Sequence, residues 1–199
     1  MGCALFKYIV VEGLDGSGKS TLSQYISTKY NYFLTREPGG TEIGRELREL
    51  LLNNKEHILN SEVQVLLMLA DRSAHLEEVV RPALLNNRLI VSDRSYLSSI
   101  AYQGYGGGYS IPDIRKLNSL ILKNTIPDLV IFIDTPLSIC RERTLRERDK
   151  FESQDDSYFL KVRDGYLKES FLFENKWVTV DGSLSPEELY LKIDQILLP

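Results

Sequence analysis

Two cysteines, Cys3 and Cys140, are all that this chain carries. They are too few for a disulfide framework and show no metal-ligand spacing, which fits a reducing compartment and a cytoplasmic protein. Histidine is equally scarce, with only His57 and His75. No apolar run reaches the length needed to span a bilayer, so no membrane partner is expected. The opening Met1-Gly2-Cys3 invites a lipidation reading, but Phe6 stands where the myristoylation pattern requires Ser or Thr. A net charge of −4 provides no bulk attraction to nucleic acid or anionic lipid. Any binding of anions must come from local clusters. Repeats, low-complexity tracts and Pro/Gly/Ser-rich linkers are also missing, so residues 1–199 read as one domain.

What the chain does have is 43% hydrophobic and 26% charged residues, enough for a full core. Their distribution alternates. Strands are expected at Leu5 to Glu12, Phe33 to Arg36, Leu89 to Asp93, Leu129 to Asp134 and Val178 to Asp181. Helices are expected at Lys19 to Tyr30, Glu42 to Asn53, Ser61 to Asn87, Ser95 to Gln103, Pro112 to Lys123, Pro136 to Arg146, Tyr158 to Phe173 and Pro186 to Leu197. The last helix opens on a capping box, Ser185 and Glu188 around Pro186. Apolar strands alternating with helices imply an α/β fold with a five-stranded parallel sheet and helices on both faces. Ligands of such sheets bind beyond the carboxyl ends of the strands. Glu12, Arg36, Asp93 and Asp134 lie at those ends.

Residues Gly13, Leu14, Asp15, Gly16, Ser17, Gly18, Lys19 and Ser20 match the phosphate-binding pattern G-x-x-x-x-G-K-[ST] at every fixed position. The glycines let backbone N–H groups converge on an anion, and the helix that follows adds its positive end. Lys19 supplies a charge for the β- and γ-phosphates, and Ser20 a hydroxyl for Mg²⁺. The expected ligand is a nucleoside triphosphate, ATP before others. The loop alone does not choose between GTPases, transporters, helicases and small-molecule kinases. The absence of Asn-Lys-x-Asp and the short chain favour a small kinase.

An acceptor that is itself a phosphate needs no catalytic base, because its second pKa is about 6. The histidines then read as structural or surface residues. Repulsion between two anions is the obstacle, and arginine overcomes it with paired hydrogen bonds. Asp93-Arg94 closes a strand: Asp93 is placed to steady Mg²⁺ or its waters and Arg94 to reach an acceptor phosphate, though a plain Asp–Arg ion pair explains both equally. Arg141, Arg143, Arg146, Arg148 and Lys150 read either as a solvated helix face or as the base of a mobile flap at about 141–156.

Taken together, these segments resemble the thymidylate kinase family. The markers are Glu12-Gly13-Leu14-Asp15-Gly16 with the loop, Thr35-Arg36-Glu37-Pro38-Gly39-Gly40-Thr41, Asp71-Arg72, Asp93-Arg94, Ser98-Ser99, Ala101-Tyr102-Gln103-Gly104 and Pro127-Asp128-Leu129. The resemblance spans nearly the whole chain. It implies a P-loop nucleoside monophosphate kinase fold and the conversion of dTMP and MgATP to dTDP and ADP by a homodimer. It also implies roles. Asp15 touches the sugar 3′-hydroxyl near both phosphates. Arg36, Arg48 and Arg94 grip the acceptor phosphate, with Glu37 near the sugar and phosphate end. Arg72 donates to thymine O4, Ser99 and Gln103 meet the base edge, and Tyr102 packs under the sugar. Two positions depart from the family pattern: Met68 stands where a stacking Phe is usual, and the lid sequence Asp149-Lys150-Phe151-Glu152 carries lysine in place of arginine. Some relatives hold an arginine inside the loop, where this chain has Gly16. The lid then supplies the catalytic arginine, with Arg143 and Arg148 the first candidates beside Asp15, Lys19 and Arg94. The remaining alternatives are a kinase for another nucleoside monophosphate and a nucleotide-binding regulator with no acceptor.

Overall fold

The computed structural model describes residues 6–52, 60–144, 155–173 and 176–198. Five parallel strands form one sheet: β1 (Tyr8–Gly13), β2 (Phe33–Arg36), β3 (Ile90–Asp93), β4 (Leu129–Asp134) and β5 (Trp177–Asp181), in the order β2-β3-β1-β4-β5. The helices are α1 (Lys19–Tyr30), α2 (Glu42–Leu52), α3 (Ser61–His75), α4 (Arg81–Leu85), α5 (Tyr96–Ser99), α6 (Ile111–Leu122), α7 (Leu137–Thr144), α8 (Asp156–Ser170) and α9 (Pro186–Leu197).

Alternation along the central strands divides the core in two. Tyr8 and Val10 of β1, with Val130 and Phe132 of β4, face a cluster built on α3, α5, α6 and α8 through Val65, Leu97, Ile114 and Tyr166. Ile9, Val11, Ile131 and Ile133 face the opposite way, onto Leu22 and Ile26 of α1 and Leu189 and Ile193 of α9. Both faces of β1 and β4 are therefore buried, which is why these strands read as unbroken apolar runs. Each such side chain contributes roughly 1.5–3 kcal/mol on burial.

Two predicted helices are interrupted. The segment expected to be helical from Ser61 to Asn87 is α3, then a π-helical stretch at Leu76–Val80, then α4. Pro82 sits in the first turn of α4 and has no N–H to donate. The turn before it widens, and the Arg81 N–H bonds back to the Leu76 carbonyl, five residues away. Similarly, α5 passes into a π-helical stretch at Ile100–Gly106, closed by Gly107 N–H to Tyr102 O at 2.8 Å. Helix α8 begins earlier than predicted because Asp155 caps it, accepting from Tyr158 N–H at 2.9 Å. The predicted capping box of α9 is present.

The strand register brings the carboxyl ends together. Arg36 pairs with Asp93 across β2 and β3, and Val11 pairs with Asp93 across β1 and β3. The loops after β1, β2 and β3 thus open on one edge of the sheet. Residues 145–154, which include Arg146, Arg148, Asp149, Lys150, Phe151 and Glu152, lie outside the described residues, as do Cys3 and His57.

Candidate active site

The loop after β1 turns on glycine. Gly13, Gly16 and Gly18 all have positive φ, and a side chain at Gly13 would meet Ser17 Oγ at 2.6 Å and the Ile133 carbonyl at 2.8 Å. Gly18 then caps α1 and turns its N-terminus toward the loop. Lys19, the first residue of α1, is buried beneath the loop and donates to Leu14 O at 2.6 Å. Burial, followed by the Arg94 charge, pushes its ammonium down from the ordinary lysine value. Ser17 is buried with no hydrogen-bond partner for its Oγ.

Three arginines converge at the mouth of this loop. Arg94 follows β3 in a left-handed backbone conformation, φ 74°, held by Arg94 N–H to Val11 O at 2.9 Å and by Ser92 Oγ donating to Arg94 O at 2.8 Å. Its guanidinium ion-pairs with Asp15 and donates to Tyr102 OH at 3.1 Å. Tyr102 OH also donates to Asp15 Oδ2 at 3.0 Å, and Lys19 Nζ lies 3.7 Å from Asp15 Oδ1. Burial alone would raise the Asp15 carboxyl, but Arg94 and Lys19 outweigh it and hold Asp15 well below the usual carboxylate range. Arg48 of α2 donates to Pro38 O at 3.0 Å. Burial, then Arg36, then Arg94 lower its pKa. Like charges gathered this closely mark a place built for an anion.

Two cavities meet here. One has an apolar wall of Leu51, Leu52, Met68 and Tyr102, with Gln103, Ser98 and Pro38 beside it. The other is lined by Gly16, Gly18, Lys19, Ser20, Asp93, Arg36, Glu37 and Arg143 among others. Asp15, Arg48 and Arg94 line both. In the first, Gln103 Oε1 is buried with no hydrogen-bond partner, while its Nε2 donates to Gln64 at 3.4 Å.

Behind the cavities lies a buried ionic cluster. Arg72 of α3 is fully buried and donates to Glu37 Oε2 at 2.9 Å, Asn118 Oδ1 at 2.8 Å, Ser99 Oγ at 3.1 Å and Ser95 O at 3.3 Å. Glu37 also contacts His75 Nδ1 at 2.9 Å, and His75 Nε2 contacts Thr35 Oγ1 at 2.7 Å. Burial would raise Glu37, but Arg72 and His75 lower it. His75 is thus a structural residue in the wall. Arg72 and Ser99 are not among the residues lining either cavity; Ser98 and Met68, one residue and one helical turn away, line the first.

A hydroxyl and a carboxylate lie at the other side of Lys19. Ser20 Oγ donates to Asp93 Oδ2 at 2.5 Å, at the edge of the phosphate-loop cavity. With the phosphate oxygens of a bound nucleotide, this pair would suit Mg²⁺, which takes few protein ligands and keeps its waters. Among the described residues no cluster of three or more His, Cys, Asp or Glu is placed to hold a metal unaided.

Arg143 of α7 reaches over the loop, donating to Gly16 O and to Gly182 O, each at 3.3 Å. Arg141 instead pairs with Asp156 at 3.2 Å and lies over Phe159. Asp134, marked by its place at a strand end, is held by Arg163 at 2.5 and 2.7 Å and belongs to the support of α8. Leu51, Leu52, Pro38 and Ser98 line the site without having been singled out for a role in it from sequence. The first two looked like ordinary helix positions, and only the fold shows which face of α2 meets the cavity.

A phosphate-loop sheet with two adjoining cavities, joined by an acid and two arginines, is the architecture of a nucleoside monophosphate kinase. Residues 11–193 match the family model described as thymidylate kinase. A thymidylate kinase of Kosmotoga olearia is 38% identical over 193 residues, covering 94% of this chain and 92% of its own. One of Nitrosomonas eutropha is 40% identical over 190 residues, covering 92% of this chain and 88% of its own. The crystal structure of thymidylate kinase from Ehrlichia chaffeensis superposes with a TM-score of 0.76 at 29% identity, covering 96% of this chain and 98% of that one. The chain belongs to the thymidylate kinase family.

Proposed function

We propose that the protein transfers the γ-phosphoryl group of ATP to dTMP, giving dTDP and ADP for dTTP synthesis. The observation that carries this reading is the junction of the two cavities at Asp15, Arg48 and Arg94. The cavity at the phosphate loop takes the triphosphate of ATP on Gly13 to Ser20, with Lys19 at the β- and γ-phosphates. Ser20 and Asp93 would hold Mg²⁺, which neutralises phosphate charge when bound. The apolar-walled cavity takes the nucleotide acceptor, its phosphate toward Arg36, Arg48 and Arg94. Gln103 Oε1 is a buried acceptor that the N3–H of a pyrimidine satisfies. Met68 and Tyr102 pack on base and sugar, and Asp15 meets the sugar hydroxyl. Arg72 and Ser99 stand one layer back, where they fix the residues that meet the base, and Glu37 lines the phosphate-loop cavity at the sugar and phosphate end.

In-line transfer needs alignment and charge cancellation more than proton removal. Arg94 bridges toward the acceptor phosphate, and Arg143, already at Gly16 O, is the arginine nearest the donor side. Arg148, in the 141–156 segment read as a lid, is the second candidate for that charge. Closure of such a segment excludes water and suppresses hydrolysis of ATP.

The one domain assembles as a homodimer in the cytoplasm on this reading. Val63 and Leu66 of α3 are exposed on the face turned away from the sheet, which supports pairing through that helix. No helix among the described residues is long and apolar enough to cross a membrane, and burial pushes the Cys140 thiol up to about 11, as suits an inert reduced cysteine.

A coupled assay across dTMP, dUMP, dCMP, dGMP and AMP tests the reading. dTMP is expected to be the best acceptor. dUMP, short by one methyl group, is expected to be poorer by about 1–3 kcal/mol in transition-state binding. A preference for AMP or dCMP refutes it.

A further inference from the structure

Glu12 is a fully buried carboxylate that the groups assigned to binding and transfer leave unused. Glu12 precedes the phosphate loop on β1 and is 0% exposed. Its oxygens accept four hydrogen bonds. Oε1 takes Ser95 N–H and Ser95 Oγ, both at 2.7 Å; Oε2 takes Ser98 Oγ at 2.6 Å and Tyr166 OH at 2.9 Å. These donors come from the turn after β3, from α5 and from α8. A buried carboxylate is costly unless its oxygens are well satisfied, and here the satisfaction ties together the three elements that surround Arg94.

No hydrogen bond joins Glu12 to Arg94, yet both donors on Oε2 touch it. Arg94 Nη1 donates to Ser98 Oγ at 3.1 Å and to Tyr166 OH at 3.4 Å, and also to Gly13 O at 3.1 Å. Each hydroxyl has a single proton. Ser98 Oγ and Tyr166 OH also lie 2.9 Å apart, but the carboxylate is the stronger acceptor; with those protons drawn to Glu12, both hydroxyls present lone pairs to the guanidinium. Without the carboxylate, either hydroxyl is free to turn its proton against Arg94. Glu12 therefore sets the polarity of two hydroxyls that grip one edge of Arg94. The other edge, Nη2, faces Asp15 and Tyr102 at the cavity. Burial pushes the Glu12 carboxyl up, and the nearby Arg94 charge opposes this.

We infer that Glu12 is a positioning residue for the acceptor-phosphate grip: acting through Ser98 and Tyr166, it fixes the Arg94 guanidinium so that its Nη2 edge, which meets Asp15 and Tyr102, is aimed at the acceptor. The inference rests on Arg94 being the residue that holds the acceptor phosphate.

The test is Glu12→Gln, which keeps shape and removes charge. Turnover is measured with ATP and dTMP, and dTMP and ATP binding are measured separately by calorimetry. The expected result is a loss of roughly tenfold or more in kcat/KM for dTMP and a matching loss of dTMP affinity, with ATP affinity changed by less than about twofold. On an Arg94→Lys background, Glu12→Gln is expected to cost less than about twofold further, because its route of action is gone. Equal losses for both nucleotides, or additive losses in the double variant, overturn the inference. Should Glu12→Gln not fold, Tyr166→Phe and Ser98→Ala each remove one link; the same split is expected, and unchanged dTMP parameters in both overturn the inference. Wild-type protein in the same assay separates the two readings. Failure of the wild type to phosphorylate dTMP refutes the proposed activity, whereas wild-type turnover matched by the Glu12→Gln variant refutes only the role of Glu12.

Discussion

Replacing Gly16 with alanine isolates one physical claim about the phosphate loop. Gly16 has φ +79°, and an added Cβ would lie 2.5 Å from the Cys140 carbonyl oxygen and 2.9 Å from Thr144 Cγ2. The left-handed backbone costs an L-residue about 1–2 kcal/mol. Neither contact gives way cheaply. The Cys140 carbonyl is helix backbone in α7 and already accepts from Thr144 Oγ1 at 3.0 Å; forcing it outward adds about 1–3 kcal/mol. The sum is near 3 kcal/mol, or roughly 6–12 °C in melting temperature for a chain of this size. The displacement also moves Arg143, which bonds the Gly16 carbonyl at 3.3 Å. Gly16→Ala is therefore expected to lower kcat as well as stability, and Gly16→Arg to do no better, because the space that an arginine would need is filled by α7. Differential scanning calorimetry and the coupled assay measure the two effects. An alanine variant within about 0.5 kcal/mol of wild type, at full activity, refutes the claim that the packing of α7 closes this position.

Other changes test the remaining parts. Arg94→Ala removes charge-assisted bonds to the acceptor phosphate worth about 1.5–3 kcal/mol each, so kcat/KM for dTMP falls about 10²–10³-fold while ATP binding, read by calorimetry, holds; equal loss of both refutes the assignment. Lys19→Ala abolishes turnover with the circular dichroism spectrum unchanged, and residual turnover above a tenth of wild type sinks its assigned role. Asp71→Asn tests a stored electrostatic cost. Burial, then Glu37, push Asp71 up to about 6; its Oδ1 accepts from Gly39 N–H at 2.8 Å and its Oδ2 is buried with no hydrogen-bond partner. A raised carboxyl binds more protons folded than unfolded, so stability is greatest below the unfolded value of about 3.9 and is lost as pH rises through about 6. Asn keeps the acceptor and removes the charge, so urea unfolding is expected to show stabilisation by about 1–3 kcal/mol at pH 8 and little change at pH 4; equal effects at both pH values contradict the ionisation argument.

Much of the fold was legible because its signals are local. Leu129 to Ile133 is an unbroken apolar run bounded by Asp128 and Asp134, and it forms β4. Ser185, Pro186 and Glu188 announce the start of α9 within four positions, and the observed capping bonds are between those residues. The π-helical stretches escaped for the opposite reason. Their hydrophobic periodicity passes for α-helix, and only a carbonyl shift from four to five residues back distinguishes them. Pro82 was a visible signal for the first. For the second the signal is Gly104 and the run Gly106-Gly107-Gly108, which lie just past the expected Ser95 to Gln103 helix. The second stretch matters more, since it carries Tyr102 and Gln103 into the cavity wall.

The site divides along the same line. Charges announce themselves, and Arg36, Arg48 and Arg94 do meet at the loop. What holds them there is spread over the whole chain and made of ordinary residues: Tyr166 lies 154 positions from the Glu12 carboxylate it bonds, and Asn118 lies 46 from Arg72. No motif links such pairs, because each is a partner only once the sheet has brought its ends together. The cations also show why the site favours anionic ligands. Arg48 is pushed down first by burial and then by Arg36 and Arg94, and Lys19 by burial and then by Arg94. Asp15, the acid common to both cavities, is held well below the usual carboxylate range by Arg94 and Lys19. A phosphate dianion placed among these cations adds an attraction to each of them that opposes their mutual repulsion, so the loop and its arginines together favour an anionic ligand.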